Sequence, residues 1–290
     1  MNDLRGRVAV VTGGGSGIGR GLSLWLASEG MTVAVADVQA AKARAVAAEV
    51  AAAGGRAFAV HVDVTSAASL AAAAEEITAR AGGANLLCAN AGVLARVGPL
   101  DAHTVLDWEY TLSVNVLGVV KTVHAFLPAL RASAPDAHIV TTASLGGLVT
   151  EVRAPIGAYT ASKYACVGYS EMLRAELAAE GIGVSVLCPG VVASDLMGSS
   201  AANRPDAFGE QAAPQLTARR GGDDAARLAD FAMPAEEVGP IVIRAIRANR
   251  FHVITHPQTR RLVEDRFRAM LGDFDFAESG RSRRAEERQG

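Results

Sequence analysis

The chain has 290 residues, a length that favours one large domain or two small ones. Half of its residues are hydrophobic and its formal net charge is only −2, so it can fill a sizeable core but has no basic surface for nucleic acid or an anionic membrane. The N-terminal segment is too polar for a signal peptide, and no apolar run approaches the roughly 20 residues that span a bilayer. We therefore expect a cytoplasmic protein without nucleic-acid or membrane partners.

Short runs rich in Val, Ile and Ala alternate along the chain with longer segments rich in Ala, Leu, Glu and Arg. The short runs predict strands at 7–13, 31–38, 56–64, 84–92, 137–144, 183–190 and 250–256. The longer segments predict helices at 17–30, 40–53, 104–115, 116–132, 157–180, 223–231 and 235–249, together with one that Thr65 or Ser66 caps and that runs to about residue 80.

The predicted strands are continuously apolar, which indicates that both faces of the sheet are buried, as in parallel sheets. Their alternation with helices implies right-handed βαβ crossovers. The sequence therefore predicts an α/β fold: a single Rossmann-type, doubly wound parallel sheet of about seven strands, formed by residues 1–272. Residues 194–222 break the alternation and are expected to form a substrate lid. The mostly polar residues 273–290 are expected to form a flexible tail.

A glycine-rich turn, TGGGSGIG, lies between the first strand and the first helix. Glycine allows the backbone to turn sharply and to approach a pyrophosphate, and the following helix N-terminus offers free N–H groups. A simple tight turn is the alternative for the glycines alone, but their position favours a dinucleotide site. The candidate cofactor-binding residues here are Gly13, Ser16, Gly17, Ile18 and Gly19.

Two acids close the next two strands. Asp37 lies 18 residues after Gly19, close to the offset of about 20 at which an acid binds the adenosine ribose hydroxyls. Its carboxylate would repel a 2′-phosphate and no Arg or Lys follows directly, so NAD is favoured over NADP. Asp63, followed by Val64, is a candidate for contact with adenine. The competing interpretation is a solvated strand-end or capping residue for Asp37, and the N-cap of the next helix for Asp63.

One Tyr-x-x-x-Lys motif points to catalysis. The chain has only three lysines and otherwise uses arginine, yet Lys163 follows Tyr159 by four residues within a predicted helix. Positions i and i+4 share one helix face, so the ammonium would lie beside the phenol and favour the phenolate. Tyr159 would then be a usable general acid and base for an alcohol proton. An exposed helix pair is the structural alternative.

The chain carries a series of motifs in a characteristic order: TGGGSGIG, Asp37, Asp63, Asn90-Ala91-Gly92, Asn115, Ser144, Tyr159, Lys163 and Pro189-Gly190. With these motifs it resembles the short-chain dehydrogenase/reductase family over about residues 5–255. The resemblance implies a nicotinamide cofactor and hydride transfer at a carbinol or carbonyl carbon. It also implies an oligomer, usually a homotetramer or a homodimer.

The resemblance further implies a role for each matched residue. Tyr159 would be the acid and base, Lys163 would hold the cofactor ribose, and Asn115 would hold a water that links Lys163 to solvent. Ser144 would bind the substrate oxygen, with Thr141 and Thr142 as rivals because the spacing to Tyr159 is long. The remaining implied cofactor contacts are Asn90, Ala91, Gly92, Pro189, Gly190, Val192 and Ser194.

Two further runs, FHVITHPQTRRLVEDRFRAML and NRPDAF, are similar to a subgroup that includes the NAD-dependent Cα-dehydrogenases of lignin aryl-ether catabolism. That subgroup oxidises bulky benzylic secondary alcohols. The similarity is short and suggests a substrate class without fixing it.

Substrates of open α/β sheets bind beyond the carboxyl ends of the strands. The apolar candidates there are Leu94, Leu145, Val149, Ile156, Leu196 and Met197. The charged residues of the same loops (Arg96, Glu151, Arg153) are expected to be solvated. The cysteines (Cys88, Cys166, Cys188) are expected to be small buried hydrophobes, and the histidines form no pattern typical of a metal site.

We therefore expect an NAD-dependent oxidoreductase that interconverts a hydrophobic secondary alcohol and its ketone, with an aryl alcohol as the narrower interpretation. An NADPH-preferring carbonyl reductase in biosynthesis is the first alternative. A nucleotide-binding protein without catalytic activity is the second, because a fold alone does not prove a function.

Overall fold

The computed structural model describes residues 1–150, 155–214 and 232–287, with side chains up to residue 279. Its strands are β1 (Val8–Thr12), β2 (Thr32–Asp37), β3 (Arg56–His61), β4 (Leu86–Ala89), β5 (His138–Thr142), β6 (Gly183–Cys188) and β7 (His252–Ile254). They form one sheet in the order β3-β2-β1-β4-β5-β6-β7, and every neighbouring pair is parallel. The predicted seven-stranded, doubly wound parallel sheet is confirmed.

The helices are α1 (Gly17–Ser28), α2 (Ala40–Ala52), α3 (Ala67–Ala81), α4 (Val105–Leu112), α5 (Val119–Ala132), α6 (Gly157–Leu177), α7 (Leu196–Ala202), α8 (Val238–Arg247) and α9 (Arg260–Glu287). The predicted helix at 223–231 lies outside the described residues. Within the described ranges the predicted strands are a few residues too long, because apolar residues continue beyond the last ladder hydrogen bond into the loops that form the site.

Buried side chains cover the sheet on both faces. Ile77 of α3 and Phe126 of α5 pack in the core on one face, while Leu26 of α1, Val50 of α2 and Val242 of α8 pack on the other. Burial of one large apolar side chain contributes about 1.5–3 kcal/mol. Both faces of the strands are therefore dry, which explains why their sequences do not alternate between apolar and polar residues.

The helical stretch Val105–Ala132 is long and apolar enough to cross a membrane by composition alone. It is a core helix of the α/β fold, since Tyr110, Val123 and Phe126 are buried in the core beside the sheet. A π-helical segment, Ser113–Gly118, interrupts it between α4 and α5. Such segments are frequent at functional sites, and this one carries Asn115.

The carboxyl ends of β1 and β4 meet where the strand order reverses. The chain leaves β1 towards β2 and β3 on one side, and later returns to β4 on the other side. Ligands of doubly wound sheets bind in the crevice at such a switch point. The glycine-rich turn after β1 and the loop after β4 both lie there.

The C-terminal segment is helical in the structure, which the sequence analysis did not anticipate. Instead of a tail without regular structure, residues 260–287 continue as the single helix α9. Every residue from Phe267 to Ser279 is exposed, including the large apolar side chains of this stretch.

Candidate active site

The turn between β1 and α1 requires glycine at two positions. Gly13 has a φ of +63°, in the left-handed region that favours glycine. A side chain at Gly19 would place its Cβ only 2.0 Å from the carbonyl oxygen of Gly13. Ser16 precedes α1 in an extended conformation and its hydroxyl does not cap the helix. The first N–H groups of α1 therefore remain available to an anion.

Asp37 at the end of β2 faces this turn. Its Oδ2 accepts the N–H of Gly15 at 2.9 Å, and its Oδ1 accepts the N–H of Gln39 at 2.9 Å. The buried carboxylate therefore fixes the shape of the turn while it lines the cleft. Lys42 of α2 lines the same cleft. Sequence analysis missed it because it considered only cations directly after Asp37.

Asp63 and Val64 follow β3 on the same wall of the cleft. One Asp63 oxygen accepts both the N–H and the hydroxyl of Thr65, at 2.8 and 2.7 Å. Ser66, not Asp63, caps α3 by accepting the N–H of Ser69. Asp63 thus holds the turn ahead of the helix, and its interpretation as the N-cap of that helix is wrong, because Ser66 occupies that position.

Asn90 joins the ends of three strands. Its side-chain amide donates to the carbonyl of Thr12 at 3.1 Å, and its amide oxygen accepts the hydroxyl of Thr142 at 3.1 Å. The N–H groups of Asn90 and Ala91 both donate to the Thr12 hydroxyl. A Cβ at Gly92 would lie 3.4 Å from Lys163 Nζ, so the backbone passes close to that ammonium.

Tyr159 and Lys163 lie on one face of α6 at the cleft, as the i, i+4 spacing predicts. The Lys163 Nζ is 5.3 Å from the centre of the Tyr159 ring and donates to the carbonyl of Thr142 at 2.9 Å. Lys163 is buried, whereas Tyr159 is partly exposed to the cleft. The structure therefore excludes the alternative of an exposed helix pair. The buried ammonium of Lys163 lies beside the phenol of Tyr159, at the switch point of the sheet.

Asn115 of the π-helical segment is fully buried. Its Oδ1 accepts the N–H of Val93 at 2.8 Å, and its Nδ2 donates to the Val93 carbonyl at 2.9 Å and to Ser162 Oγ at 3.0 Å. Its own carbonyl accepts the thiol of Cys166. The side chain therefore ties the loop after β4 to α6.

Ser144 begins a 3₁₀ turn after β5, and its hydroxyl oxygen accepts the N–H of Gly146 at 3.1 Å. Of its rivals, Thr141 is buried against Ser170, and Thr142 donates to Asn90 and lines the cleft, which Ser144 does not line. The turn presses against α6, because a Cβ at Gly147 would lie 2.6 Å from the carbonyl oxygen of Lys163.

The end of β6 closes the cleft on the far side. Pro189 lines it, and the Gly190 N–H donates to Thr255 Oγ1 and His256 Nδ1, each at 3.2 Å. Any Cβ at Gly190 would meet the His256 ring at 2.7 Å. These two residues after β7 were not among the sequence candidates, since nothing in the sequence places β7 beside β6.

One cleft gathers most of the predicted cofactor residues. Its lining includes Gly13, Ser16, Gly17, Ile18, Asp37, Asp63, Val64, Asn90, Ala91, Gly92, Tyr159, Lys163, Pro189 and Ser194. The remaining candidates, Gly19, Gly190 and Val192, are not among the described residues that line it; Val192 forms a β-bridge with Met233. Thr142, which the sequence offered as a rival of Ser144, also lines the cleft. The residues that sequence analysis missed include Val38, Gln39, Lys42, Val62, Thr65, Tyr110, Val114, Ala143, Asp195, Ser199, Asn203 and Pro205.

Most of the predicted substrate residues are not among the described residues that line the cleft. Leu196 lines it, and Met197 of α7 is 38% exposed. Leu94 donates its N–H to Ser200, and Ile156 bridges Gly98. Val149 is buried, and the N–H of Leu145 donates to the Pro189 carbonyl. Glu151 and Arg153 lie outside the described residues.

The described part of the predicted lid, residues 194–214, is anchored by an internal ion pair. Arg204 contacts Asp107 Oδ1 at 2.9 Å, and both side chains are at most 5% exposed. The Arg204 guanidinium also donates to the carbonyls of Phe208 and Gly209. Burial raises the pKa of Asp107, but hydrogen bonds from Thr104 and the nearby Arg204 outweigh it, so this pKa is lowered overall.

Arg96 corrects one expectation. It was expected to be a solvated loop charge, but it is buried. Its Nε has no hydrogen-bond acceptor among the described residues. Two hydrogen bonds hold the loop around it: the N–H of Leu94 donates to Ser200 Oγ, and the N–H of Gly98 donates to the Pro155 carbonyl. Arg96 lies between these two contacts.

The cysteines behave as small buried hydrophobes, as predicted. Burial raises the pKa of Cys88 and of Cys188 to about 12, and it also raises the pKa of Cys166. They are therefore neutral thiols at physiological pH. Within the described ranges, His, Cys, Asp and Glu side chains form no group of three that could hold a metal ion.

Comparison with known proteins decides the family. The sequence profile described as short chain dehydrogenase matches residues 7–205. The chain belongs to this family. The family resemblance inferred from the motifs is thereby confirmed, and the protein is an oxidoreductase of the alcohol dehydrogenase type.

Individual relatives agree with this assignment at modest identity. The chain is 29% identical to the C alpha-dehydrogenase of Sphingobium sp. over 286 residues, which cover 96% of this chain and 90% of that protein. It is 34% identical to the 1-deoxy-11-beta-hydroxypentalenate dehydrogenase of Streptomyces exfoliatus over 265 residues, covering 91% and 88%. A short-chain dehydrogenase/reductase of Burkholderia phymatum, solved in complex with NAD, superposes with a TM-score of 0.84 at 33% identity, covering 94% of this chain and 97% of that one.

Proposed function

We propose that this short-chain dehydrogenase uses NAD to interconvert a hydrophobic aryl secondary alcohol and its ketone. The residues of the cleft fit a dinucleotide. The turn between β1 and α1 leaves no space for side chains at Gly13 and Gly19, so a pyrophosphate can approach its backbone. No side chain caps α1, so the N–H groups of its first turn are available to an anion. Gly13, Ser16, Gly17 and Ile18 would hold the pyrophosphate. Pro189, Gly190, Val192 and Ser194 would flank the nicotinamide.

The preference for NAD rests on Asp37. Its buried carboxylate is held in place by two backbone N–H groups, so it would present fixed negative charge and acceptor oxygens to the adenosine ribose. A 2′-phosphate would be repelled at that position. Lys42 on the same wall supports the second candidate, an NADPH-preferring carbonyl reductase, because its ammonium could offset this repulsion.

In the proposed mechanism the nicotinamide ring of bound NAD supplies the hydride acceptor. Tyr159 takes the hydroxyl proton of the alcohol as the C–H bond is cleaved, and it returns the proton in the reverse direction. Ser144 donates a hydrogen bond to the same substrate oxygen as negative charge develops there. Lys163, whose Nζ is 5.3 Å from the centre of the Tyr159 ring, would hold the ribose. Asn115 would keep this part of the site in position, because it ties the loop after β4 to α6.

The proposal of an aryl substrate rests on the apolar residues around the cleft and on the named activity of one relative. Leu94, Leu145, Val149, Ile156, Leu196 and Met197 would enclose the carbon skeleton. The Sphingobium relative is a C alpha-dehydrogenase, and it aligns with 96% of this chain. Small charged alcohols should therefore be poor substrates.

The test is the initial rate of reduction of NAD⁺ and of NADP⁺ at 340 nm, with a panel of aryl and alicyclic secondary alcohols. Activity on bulky apolar alcohols with NAD⁺ supports the proposal, whereas activity with NADP⁺ alone would favour the reductase. Binding of NADH without turnover of any alcohol would favour a non-catalytic nucleotide-binding protein.

Two matched substitutions on α6 test the mechanism. Tyr159→Phe should lower kcat by at least about 100-fold, the lower range for loss of a general acid–base group, while NADH binding persists. Tyr164→Phe is the control, because the hydroxyl of Tyr164 has no hydrogen-bond partner among the described residues. Equal activity of the two variants would refute the role of Tyr159.

A further inference from the structure

The C-terminal helix α9 extends into solvent for most of its length. Its 28 residues give a helix about 42 Å long. Its first turns contact the body of the protein, where the guanidinium of Arg266 lies 5.0 Å from the centre of the Tyr164 ring. From Phe267 to Ser279, by contrast, every residue is exposed. Helices in proteins owe most of their stability to packing of one face, which this segment lacks within its own chain.

The exposed segment carries an apolar stripe. Phe267, Met270, Leu271 and Phe274 follow the spacing that places side chains on one face of a helix. They are 50%, 41%, 63% and 63% exposed, respectively. Contiguous exposed apolar side chains of this kind mark interaction surfaces. We call these four residues the α9 stripe.

The α9 stripe is complementary to itself. In an antiparallel pair of α9 helices with the two-fold axis between Met270 and Leu271, Phe267 of one copy lies opposite Phe274 of the second copy. Met270 then lies opposite Leu271. A two-fold interface places the same patch of each subunit on the other, so this symmetry of the stripe is what it requires.

The charges beside the stripe complement each other in the same register. In antiparallel helix pairs, residues of one flank face the same flank of the other helix. Arg266 and Asp273 share one flank of the stripe, while Arg268 and Asp275 share the other. Arg268 then lies close to the opposing Asp275. On the other flank Asp273 of the second copy approaches Arg266, which also contacts the Tyr164 ring of its own chain. Within its own chain Arg268 pairs with Asp265, but that contact is exposed and contributes little.

We propose that α9 is a self-association surface, which docks on α9 of a second copy of this chain as an antiparallel pair centred on Met270 and Leu271. We infer a second copy as the partner because the apolar residues of the α9 stripe and the flanking arginines and aspartates are arranged symmetrically about the same two-fold axis. An unrelated partner would not require this symmetry.

Engineered disulfides in the full-length protein test the contact. Cys88, Cys166 and Cys188 are buried, so they contribute little background. Leu271→Cys places two thiols close to the axis, whereas Ala269→Cys, also exposed, lies at nearly the same height on the opposite face of the helix. Mild oxidation should yield covalent dimers at least about tenfold faster for Leu271→Cys. Equal rates, or no dimer from Leu271→Cys, would overturn the proposal and leave the stripe to a different protein.

A mixing experiment tests the antiparallel direction. Phe267→Cys and Phe274→Cys proteins should form a mixed disulfide when combined, and each should form little dimer alone. A parallel pair would give the opposite result and would overturn the arrangement.

A charge exchange tests the register with a readout that folding alone does not change. Arg268→Asp and Asp275→Arg, each placed in the Leu271→Cys protein, should lower the rate of dimer formation about fivefold or more. The double variant should restore it, because the two charges are then exchanged. Failure of the double variant to recover would refute the flank pairing, and circular dichroism confirms that all variants remain folded.

Discussion

Replacement of Arg204 by Met would remove the central anchor of the segment after α7. The guanidinium contacts Asp107 Oδ1 at 2.9 Å, donates to the Phe208 carbonyl at 2.6 Å, and lies 5.3 Å from the centre of the Tyr110 ring. Methionine preserves much of the aliphatic volume but none of the charge. The variant therefore leaves the carboxylate of Asp107 buried without its cation.

The expected cost follows from this burial. Loss of one partner of a buried ion pair costs about 3–5 kcal/mol, because the remaining charge stays desolvated. Asp107 keeps two hydrogen bonds from Thr104, one from its N–H and one from its hydroxyl. We therefore expect the lower end of the range, about 3 kcal/mol of unfolding free energy. Since Asn203 and Pro205 line the cleft, NADH binding should also weaken.

Denaturant unfolding of Arg204→Met and Arg247→Met measures this difference. Arg247 is the matched control, since its ion pair with Glu29 is at the surface. Exposed pairs contribute about 0–1 kcal/mol, so Arg247→Met should be nearly neutral. A thermal melt should show a drop of about 6 °C or more for Arg204→Met. Equal, small losses in both variants would show that the internal ion pair does not stabilise the protein.

Three further predictions concern the cradle, the sheet and the 3₁₀ turn. Gly19→Ala should weaken NADH binding at least about tenfold in a fluorescence titration, since its Cβ would meet the Gly13 carbonyl at 2.0 Å. Burial, with positive charges nearby, lowers the pKa of His138 to about 3, so the unfolded chain binds a proton that the folded chain rejects. Unfolding free energy should therefore fall by up to about 1.4 kcal/mol per pH unit between about pH 6.5 and 3, and His138→Asn should flatten this slope. Gly147→Ala should cost about 1–3 kcal/mol and lower kcat, because its Cβ would press on the Lys163 carbonyl at 2.6 Å and shift the turn against α6.

Each of these predictions has its own control. Gly168→Ala is the neutral control for the glycine substitutions, because a Cβ at Gly168 meets no other atom. Gly54 also has space for a Cβ, but its positive φ would strain an alanine. His124→Asn is the matched control for His138→Asn, because it removes an imidazole that is exposed rather than buried. Unaltered NADH affinity in Gly19→Ala would contradict the assignment of the turn to the cofactor.

Local sequence determined the elements of the fold and most of the cleft. The continuous apolar strands required a sheet buried on both faces, and the spacing of Tyr159 and Lys163 required one helix face. The glycine-rich turn and Asp37 each follow a strand, so a parallel sheet brings them to the same edge. Each of these conclusions starts from a local pattern, in which backbone geometry decides the face or the strand end on which a side chain lies.

The tertiary structure alone decided which distant residues complete the site. Asn203 and Pro205 reach the cofactor cleft because Arg204 is anchored on Asp107, nearly one hundred residues earlier in the chain. His256 supports Gly190 because β7 pairs with β6. No local pattern encodes such contacts, since they depend on how whole elements pack and which charges that packing buries. The burial of Arg96 and the exposed α9 stripe have the same origin: composition predicted a solvated charge and a tail, but burial is a property of the assembled fold.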